Sequence, residues 1–319
     1  MEYLNSKINP ASERSALSSI LLIVGLFLFN LFFFGSIIQG IIFVMVMIAE
    51  NVPLDLNNLD VENMMGTLTK TDSGWWGLMI AQGLSSLIGF IATSWLYWRI
   101  IEKKPWNDLN FKPITGTNLL LLVILIQLVS SPFNGWIMSL NEKMQLPPAL
   151  KAIEDFMRNM EDQMADMTKY LTNFDTVPKF IVGFLVIAVI AGIGEELIFR
   201  GLIQRKIYLG TRNPHLAIWI AAFIFSFIHF QFYGFLPRMI LGALFGYLYF
   251  WSGNIWVPIF GHIFNNGFAL VMFHLVNIKK ISPEIEKMDN VPLPLVALSL
   301  GLTLAGLWYF KKISDTQTT

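Results

Sequence analysis

Eight long apolar runs set the limits on what this chain can fold into. The hydrocarbon core of a bilayer is about 30 Å thick, so a helix that crosses it needs roughly 20 apolar residues. Runs that approach or exceed this length cover residues 17–48, 75–98, 118–140, 178–204, 214–233, 236–251, 255–277 and 291–310. The sequence predicts that each of these runs crosses the membrane as a helix.

The composition agrees with a chain that lies mostly in lipid. Of the 319 residues, 55% are hydrophobic and only 14% are charged, whereas soluble domains usually carry about 25% charged residues. The formal net charge is zero, so the charge balance indicates no attraction to nucleic acid. The absence of cysteine excludes disulfides, thiolate metal sites and a cysteine nucleophile. We therefore expect an integral membrane protein.

Lipid also restricts the choice of secondary structure. A helix satisfies its own backbone hydrogen bonds without water, whereas a membrane barrel would show segments of about ten residues that alternate between apolar and polar. The apolar runs do not alternate. The sequence therefore predicts an all-α fold, in which a polytopic bundle of about eight transmembrane helices forms a single integral membrane domain over residues 1–319.

The positive charges predict the orientation of this bundle. Cytoplasmic loops of membrane proteins carry an excess of Lys and Arg. With both termini inside, the cytoplasmic segments would hold twelve of these residues, and the other segments would hold ten, spread over longer loops with fifteen acidic residues. The twelve are Lys7, Arg14, Arg99, Lys103, Lys104, Lys112, Arg200, Arg205, Lys206, Arg212, Lys311 and Lys312. We expect a multi-pass protein of the cell membrane with both termini in the cytoplasm.

One segment between predicted spans has the pattern of an amphipathic helix. Residues 141–176 are expected to lie outside the cytoplasm, and Pro147 and Pro148 are a helix-start signal within them. Apolar residues then recur every three or four positions at Ile153, Phe156, Met157, Met160, Met164, Met167 and Leu171. Such a helix rests on the membrane or on the bundle, or it acts as a lid or as a docking helix for a partner.

Polar side chains inside three predicted spans indicate where the function lies, because a charged group inside a membrane costs several kcal/mol. They are Glu195, Glu196 and Arg200 in the fourth span, His229 in the fifth, and His262, Asn265 and Asn266 in the seventh. Spans one, two, three and eight contain nothing comparable. Polarity is therefore confined to one half of the bundle.

Helical geometry separates the two glutamates. Glu196 and Arg200 are four residues apart, so they share a face and can form an ion pair. At about 100° per residue, Glu195 points away from both of them. The sequence therefore predicts that Arg200 neutralises Glu196 and that Glu195 faces a polar cavity. Alternatively, the three side chains form the cytoplasmic end of a helix and extend to lipid headgroups.

This set of side chains can hydrolyse an amide bond without a covalent intermediate. A carboxylate in a site of low dielectric can act as a general base towards water, and a nearby histidine can share that water or carry its proton. A second histidine and an asparagine can donate hydrogen bonds to a developing oxyanion. Two histidines and a carboxylate can instead hold Zn²⁺, although the H-E-x-x-H pattern of zinc proteases is absent. Residues 178–277 are thus the predicted catalytic core.

Two other classes of function use the same residues. In a proton-coupled transporter, Glu195, Glu196 and His229 would form a proton relay, but transporters often have paired halves with matching broken spans. Here only the second half is polar, which favours an enzyme. A catalytically idle immunity or scaffold protein could also retain the fold.

Three motifs in a fixed order resemble those of the CPBP family, the group of CAAX prenyl endopeptidases and bacteriocin-processing proteins that is also called the abortive-infection family. E-E-x-x-x-R is present as Glu195, Glu196 and Arg200, F-x-x-x-H as Phe225 and His229, and H-x-x-x-N as His262 and Asn266. The resemblance covers about residues 190–267, and all motif positions match.

The resemblance implies an intramembrane endopeptidase that acts on a membrane-associated protein or peptide, with a site that opens to the cytoplasm. Carried onto the matching positions, it implies that Glu195 and His229 activate water and that His262 and Asn266 bind the oxyanion. Glu196 and Arg200, with Phe225 beside the histidine, would support that site. The family has been described both as metal-dependent and as metal-free. In the first case Glu195, His229 and His262 would be the zinc ligands.

Overall fold

This computed structural model describes residues 15–52, 66, 69–110, 114, 116–282 and 291–316. Within these residues the chain forms nine helices of at least three turns. Within these residues the only β-type pairing is a single bridge between Asn110 and Asn254. The helices are α1 (Ala16–Ala49), α2 (Asp72–Ile101), α3 (Thr117–Glu142), α4 (Lys151–Leu171), α5 (Val177–Thr211), α6 (Pro214–Phe227), α7 (Phe235–Ser252), α8 (Trp256–Asn277) and α9 (Leu293–Thr316). The predicted all-α fold is confirmed.

Six of these helices are long and apolar enough to cross a membrane: α1, α2, α3, α5, α8 and α9. Each coincides with one of the predicted spans within a few residues at most ends. The largest difference is in α5, which continues seven residues beyond the predicted end at 204. The protein is therefore a multi-pass membrane protein.

The two remaining predicted spans, 214–233 and 236–251, form a helical hairpin of α6 and α7. The side chain of Asn213 accepts a hydrogen bond from the amide of Leu216 and so caps α6, and Pro214 occupies its first turn, where proline is favoured. The helix ends at Phe227, earlier than predicted, so His229 lies in the turn of the hairpin.

Close contact between α6 and α7 depends on small residues. A Cβ atom at Gly246 of α7 would lie 2.8 Å from Ile218 of α6 and 2.8 Å from the amide oxygen of Gln204. Both distances are shorter than ordinary van der Waals contact, so a side chain at this position would force the two helices apart. The hairpin can therefore pack this closely only with glycine at position 246.

We expect Gly246→Ala to lower the stability of the folded protein by about 1–3 kcal/mol, the usual cost of inserting a methyl group into a packed interior. The measurement is the midpoint of thermal unfolding in detergent. Gly301→Ala in α9 is the matched control, because a Cβ atom there meets nothing within 4 Å. An equal midpoint for the two variants would contradict the close packing of the hairpin.

Hydrogen bonds show which helix ends lie together. At the end of the bundle next to α4, the indole of Trp75 donates to the carbonyl of Leu171, and the amide of Asn277 donates to the carbonyl of Thr172. The hairpin turn lies here too, since the Asn141 side chain donates to the carbonyl of Phe232. We call this end of the bundle the α4 end.

At the opposite end, charged side chains join α2 to α5. Glu102 and Lys206 form an ion pair of 2.7 Å, and both side chains are 3% exposed. Burial raises the pKa of the Glu102 carboxyl, but hydrogen bonds from Lys206 and Tyr97 outweigh this effect and hold that pKa at about 2. Of the cations predicted to be cytoplasmic, those that the structure describes lie at this end, except Arg200, which is buried beside Glu196. Lys7, Arg14 and Lys112 lie outside the described residues.

The predicted amphipathic helix is present as α4. One face packs against the bundle, since Met157 and Leu171 are buried and the Leu171 carbonyl accepts a hydrogen bond from Trp75 of α2. Ile153 and Phe156 on the adjacent face are 52% and 58% exposed. The apolar stripe is therefore only partly covered by the bundle, as expected for a helix at a membrane surface.

Candidate active site

A cavity of about 350 Å³ lies inside the bundle, between α3, α5, α7, α8 and the hairpin turn. Four of its lining residues are polar residues predicted from the sequence as catalytic, and Phe225 of the second motif lines it as well. The full lining is Asn134, Met138, Glu195, Phe225, His229, Gly234, Pro237, Arg238, Leu241, His262, Asn265 and Asn266. The fold thus brings together Glu195 and Asn266, which are 71 positions apart in the sequence, and adds Asn134, which is 61 positions before Glu195.

Behind the cavity lies a buried ion pair. The Arg200 guanidinium donates to Oε1 of Glu196 at 2.7 Å, and the two side chains are 1% and 0% exposed. Arg200 also donates to the carbonyl of Gly242 in α7 and lies over the ring of Phe225 at 4.8 Å. Arg200 is therefore no loop cation, and its inclusion among the cytoplasmic charges was wrong.

His262 is held between the two glutamates. Its Nδ1 lies 2.7 Å from Oε1 of Glu196, and its Nε2 lies 3.6 Å from Oε2 of Glu195. Because a carboxylate paired with arginine can only accept, Nδ1 carries the hydrogen in this contact. The ring of Phe245 stacks on His262 at 5.1 Å. Glu196 and Phe245 together fix the orientation of the imidazole.

Glu195 differs from its neighbour in its surroundings. Its side chain is 12% exposed and lines the cavity, whereas the side chain of Glu196 is completely buried. Within the described residues, no Lys or Arg lies within ion-pair distance of Glu195. The divergence predicted from helical geometry is present in the fold, and Glu195 is the carboxylate that water in the cavity can reach.

His229 enters the cavity from the hairpin turn. Its Nδ1 lies 2.7 Å from the carbonyl oxygen of Phe225. A carbonyl only accepts, so Nδ1 carries the hydrogen and Nε2 of the neutral ring is an acceptor. His229 also agrees in depth with Glu195. At 1.5 Å per residue, Glu195 lies about 24 Å from the end of α5 and His229 lies about 20 Å or more from the start of α6.

The two asparagines of α8 are linked to each other. Asn266 donates one amide hydrogen to the carbonyl of Ile187 in α5 at 3.1 Å, and its side-chain oxygen accepts from Asn265. A primary amide has two hydrogens, so the second amide hydrogen of Asn266 is available to the cavity. Asn265 lines the cavity too, and its hydrogen bond fixes the orientation of the Asn266 side-chain amide.

The arrangement of Glu195, His229 and His262 does not match a metal site. In the described part of the chain, no three His, Asp or Glu side chains lie close enough together to hold one ion. Glu195, His229 and His262 thus share the cavity without forming the three-ligand zinc centre considered above.

Sequence reasoning missed two polar residues of the cavity. Arg238 lies in the sixth predicted span, two residues from its start, where a cation is easily taken for part of a loop. Asn134 lies in the third span, and its side-chain oxygen is buried with no hydrogen-bond partner in the described residues. A search that covered every polar residue of all eight runs would have found both, and the expectation that the third span holds nothing comparable is wrong for Asn134.

The cavity lies towards the α4 end of the bundle. Asn134 and Met138 belong to the last third of α3, which ends there, and Gly234 and Arg238 follow the hairpin turn. Above the turn, the backbone amide of Tyr233 donates to Glu161 of α4. If both termini lie in the cytoplasm, the α4 end and its cavity lie on the extracytoplasmic side. The resemblance instead implies a site that opens to the cytoplasm, so the two expectations conflict.

Comparisons with known proteins agree with the geometry. The sequence model of the type II CAAX prenyl endopeptidase Rce1-like family matches residues 177–268, a segment that contains all three motifs. "Putative membrane peptidase YdiL" of Bacillus subtilis is 28% identical over 199 residues, which are 61% of this chain and 73% of that protein. No solved structure matches the chain.

Two shorter matches cover the same kind of segment. "Uncharacterized protein YpbD" of Bacillus subtilis is 31% identical over 121 residues, which are 36% of this chain and 57% of that protein. "Membrane-embedded CAAX protease MroQ" of Staphylococcus aureus is 28% identical over 121 residues, or 36% of this chain, and the match spans about half (47%) of that protein. With the three motifs gathered around one cavity, these matches show that the chain is similar to membrane peptidases and to CAAX proteases of the Rce1-like type.

Proposed function

We propose that the protein is an endopeptidase in which Glu195 activates water to cleave a peptide bond of a membrane-associated substrate. One observation carries this proposal. Glu195, His229, His262 and Asn266 line a single cavity inside a bundle of membrane helices, and each imidazole is fixed through Nδ1. This arrangement supplies a base, hydrogen-bond donors and room for a substrate carbonyl.

Water activation is assigned to Glu195 and His229. The carboxylate takes a proton from a water molecule held between it and Nε2 of His229, and the oxygen of that water attacks the substrate carbonyl carbon. The carbonyl double bond opens, and its oxygen becomes negatively charged. No covalent bond to the protein is formed.

The oxyanion is assigned to His262 and Asn266. Asn266 donates its second amide hydrogen, and His262 donates from Nε2 in its imidazolium form. The carboxylate of Glu196 at Nδ1 supplies the counter-charge for that imidazolium, and Arg200 holds the carboxylate in place. The intermediate collapses when the carbon–nitrogen bond breaks and the proton taken by Glu195 passes to the departing amine. The products are a carboxylic acid and an amine.

The primary test is peptide cleavage by the protein purified in detergent. The substrate is a pool of labelled apolar peptides, and the comparison is with Glu195→Ala and with wild type in the presence of a strong zinc chelator. Cleavage that requires Glu195 and survives the chelator supports the proposal. Loss of cleavage in the chelator and its return with Zn²⁺ would replace the metal-free route by one in which the cavity residues bind zinc.

Asn266→Ala is expected to lower the turnover rate about 100- to 1000-fold, the usual effect of removing one oxyanion donor. Because such a donor acts mainly in the transition state, kcat falls much more than substrate affinity. Asn265→Ala, which removes only the neighbour of the donor, is the matched variant and has the smaller effect. A rise in KM alone, or a greater loss with Asn265→Ala, would contradict the oxyanion role of Asn266.

We also propose that both termini lie in the cytoplasm. The described cations at the end opposite α4 support this orientation, and among the described residues the acidic side chains are concentrated at the α4 end, mainly on α4 itself. On this orientation the cavity is reached from the extracytoplasmic half of the membrane.

Cysteine labelling tests the orientation cleanly, because the chain has no cysteine of its own. A membrane-impermeant thiol reagent added to intact cells is expected to label Asp166→Cys on α4 and to miss Lys312→Cys near the end of α9. Both positions are exposed, and lysed cells provide the control for reactivity. The reverse pattern would place the cavity on the cytoplasmic side, as the resemblance implies.

A further inference from the structure

We infer that Arg238 binds a carboxylate of the substrate and that it is a specificity-determining residue of the cavity. The inference deepens the proposed function, on which it rests for the identity of the bound molecule as a peptide. It concerns a residue outside the three motifs, on the wall of the cavity formed by α7.

Arg238 has no ionic partner among the residues that the structure describes. In the part of the chain that the structure describes, no carboxylate lies within 4 Å of its guanidinium. The carboxylates of Glu161 and Glu195 interact with it electrostatically, but from a greater distance. Its two hydrogen bonds go to the backbone oxygen and the side-chain oxygen of Gln231, at 3.3 and 2.7 Å. A guanidinium carries five N–H donors, so most of its donors are available to a ligand.

An unpaired cation inside a membrane protein is costly, which is why such residues usually face a partner or a pathway. Arg200 illustrates the paired case, because Glu196 and the Gly242 carbonyl occupy its guanidinium. Arg238 instead lines the cavity and is held in place by the neutral side chain of Gln231. The site is therefore incomplete until an anion binds.

The position of Arg238 along α7 suits a peptide bound across the site. Arg238, Leu241 and Phe245 share one face of the helix, at spacings of three and four residues. Phe245 stacks on His262, and seven residues of helix separate Arg238 from Phe245 by about 10 Å. An anion on Arg238 therefore lies too far away to be the reacting carbonyl, but within a few residues of it on an extended peptide.

The rest of the cavity wall indicates the chemistry of that peptide. Near Arg238 the lining is apolar, through Met138, Pro237 and Leu241, and Asn134 offers a buried side-chain oxygen without a partner. That oxygen can accept from a backbone N–H of the peptide. The expected ligand is thus an apolar segment with one carboxylate, either at the end of the peptide or on an Asp or Glu side chain.

The test measures binding to the Glu195→Gln protein, so that the result does not depend on cleavage. The probes are fluorescent ten-residue peptides of one apolar sequence, made as the free acid, as the C-terminal amide, and as the amide with one Asp near the C-terminus. We expect a carboxylate form to bind about 10- to 100-fold more tightly than the plain amide, as for a hydrogen-bonded charge pair. The form that gains affinity identifies the source of the carboxylate.

Variants of Arg238 complete the experiment. In the same background, Arg238→Gln is expected to remove the preference and Arg238→Lys to retain part of it, with affinity for the amide unchanged. Arg99→Gln, an exposed arginine at the opposite end of the bundle, is the matched control and keeps the preference. Unfolding midpoints verify that each variant is folded.

Three results would overturn the inference: equal affinity of all three peptides for the Glu195→Gln protein, an equal loss of affinity for acid and amide in Arg238→Gln, or Arg238-dependent binding of phosphatidylglycerol micelles without any preference among the peptides. The last would make the anion a lipid phosphate. Failure of the proposed function has a different signature, namely that wild type cleaves no peptide while the carboxylate preference in binding remains.

Discussion

Glu195→Gln is expected to reduce peptide hydrolysis by at least 100-fold and to leave the protein folded. Removal of a general base typically costs a factor of 10²–10⁴, and glutamine cannot take the proton from water. The structure explains why folding should survive, because the Glu195 side chain lines a cavity and no Lys or Arg in the described residues forms an ion pair with it. Initial rates at saturating peptide and the midpoint of thermal unfolding are the two measurements.

Asp162→Asn is the matched control for this substitution, since it removes a carboxylate from the exposed face of α4 and should leave the rate unchanged. A folded Glu195→Gln protein that kept more than a tenth of the wild-type rate would show that another group activates the water.

Glu196→Gln should behave differently and should destabilise the protein by about 3–5 kcal/mol. Loss of one member of a buried ion pair leaves the other charge uncompensated, and this is the usual cost. Here the stranded group is Arg200, whose side chain is 1% exposed. A large fall in the midpoint of thermal unfolding in detergent is the expected observation.

Two further variants make the test of the ion pair specific. Asp155→Asn breaks an exposed pair with Lys151 and should leave the midpoint nearly unchanged, because solvent screens exposed pairs. The double variant Glu196→Gln, Arg200→Gln removes both charges and should recover part of the lost stability. An unchanged midpoint for Glu196→Gln alone would mean that the pair does not support the fold.

Periodicity and hydropathy predicted much of this fold because each depends on neighbours in the sequence. Lipid requires long apolar helices, so six spans could be located from run length alone. The contact between Glu196 and Arg200 follows from a spacing of four residues within one helix. In both cases the information is local.

The hairpin shows where local information ends. Phe230 and Phe232 continue the apolar run beyond Phe227, so hydropathy extends the fifth span to residue 233. The chain nevertheless turns after Phe227, because the Asn141 side chain of α3 binds both Phe232 and Leu236 and so holds the turn. That contact joins residues more than 90 positions apart, and no pattern within the run reports it.

The same reasoning applies to the cavity. Motif order grouped Glu195, His229, His262 and Asn266, but the sequence could not show that Glu196 rather than Glu195 orients His262 at Nδ1. Nor could it show that the α3 residue Asn134 and the α7 residue Arg238 share this cavity. These pairings depend on how the helices pack.

The short hairpin bears on how a hydrolase embedded in lipid obtains its second reactant. With fourteen residues, α6 is about 21 Å long, and α7 is about 27 Å long, against a hydrocarbon thickness of about 30 Å. A bilayer meets a short hydrophobic element by thinning around it. We therefore expect the lipid–water boundary to be drawn inward beside the hairpin turn, where His229 lies, and the path of water to Glu195 to be shorter as a result.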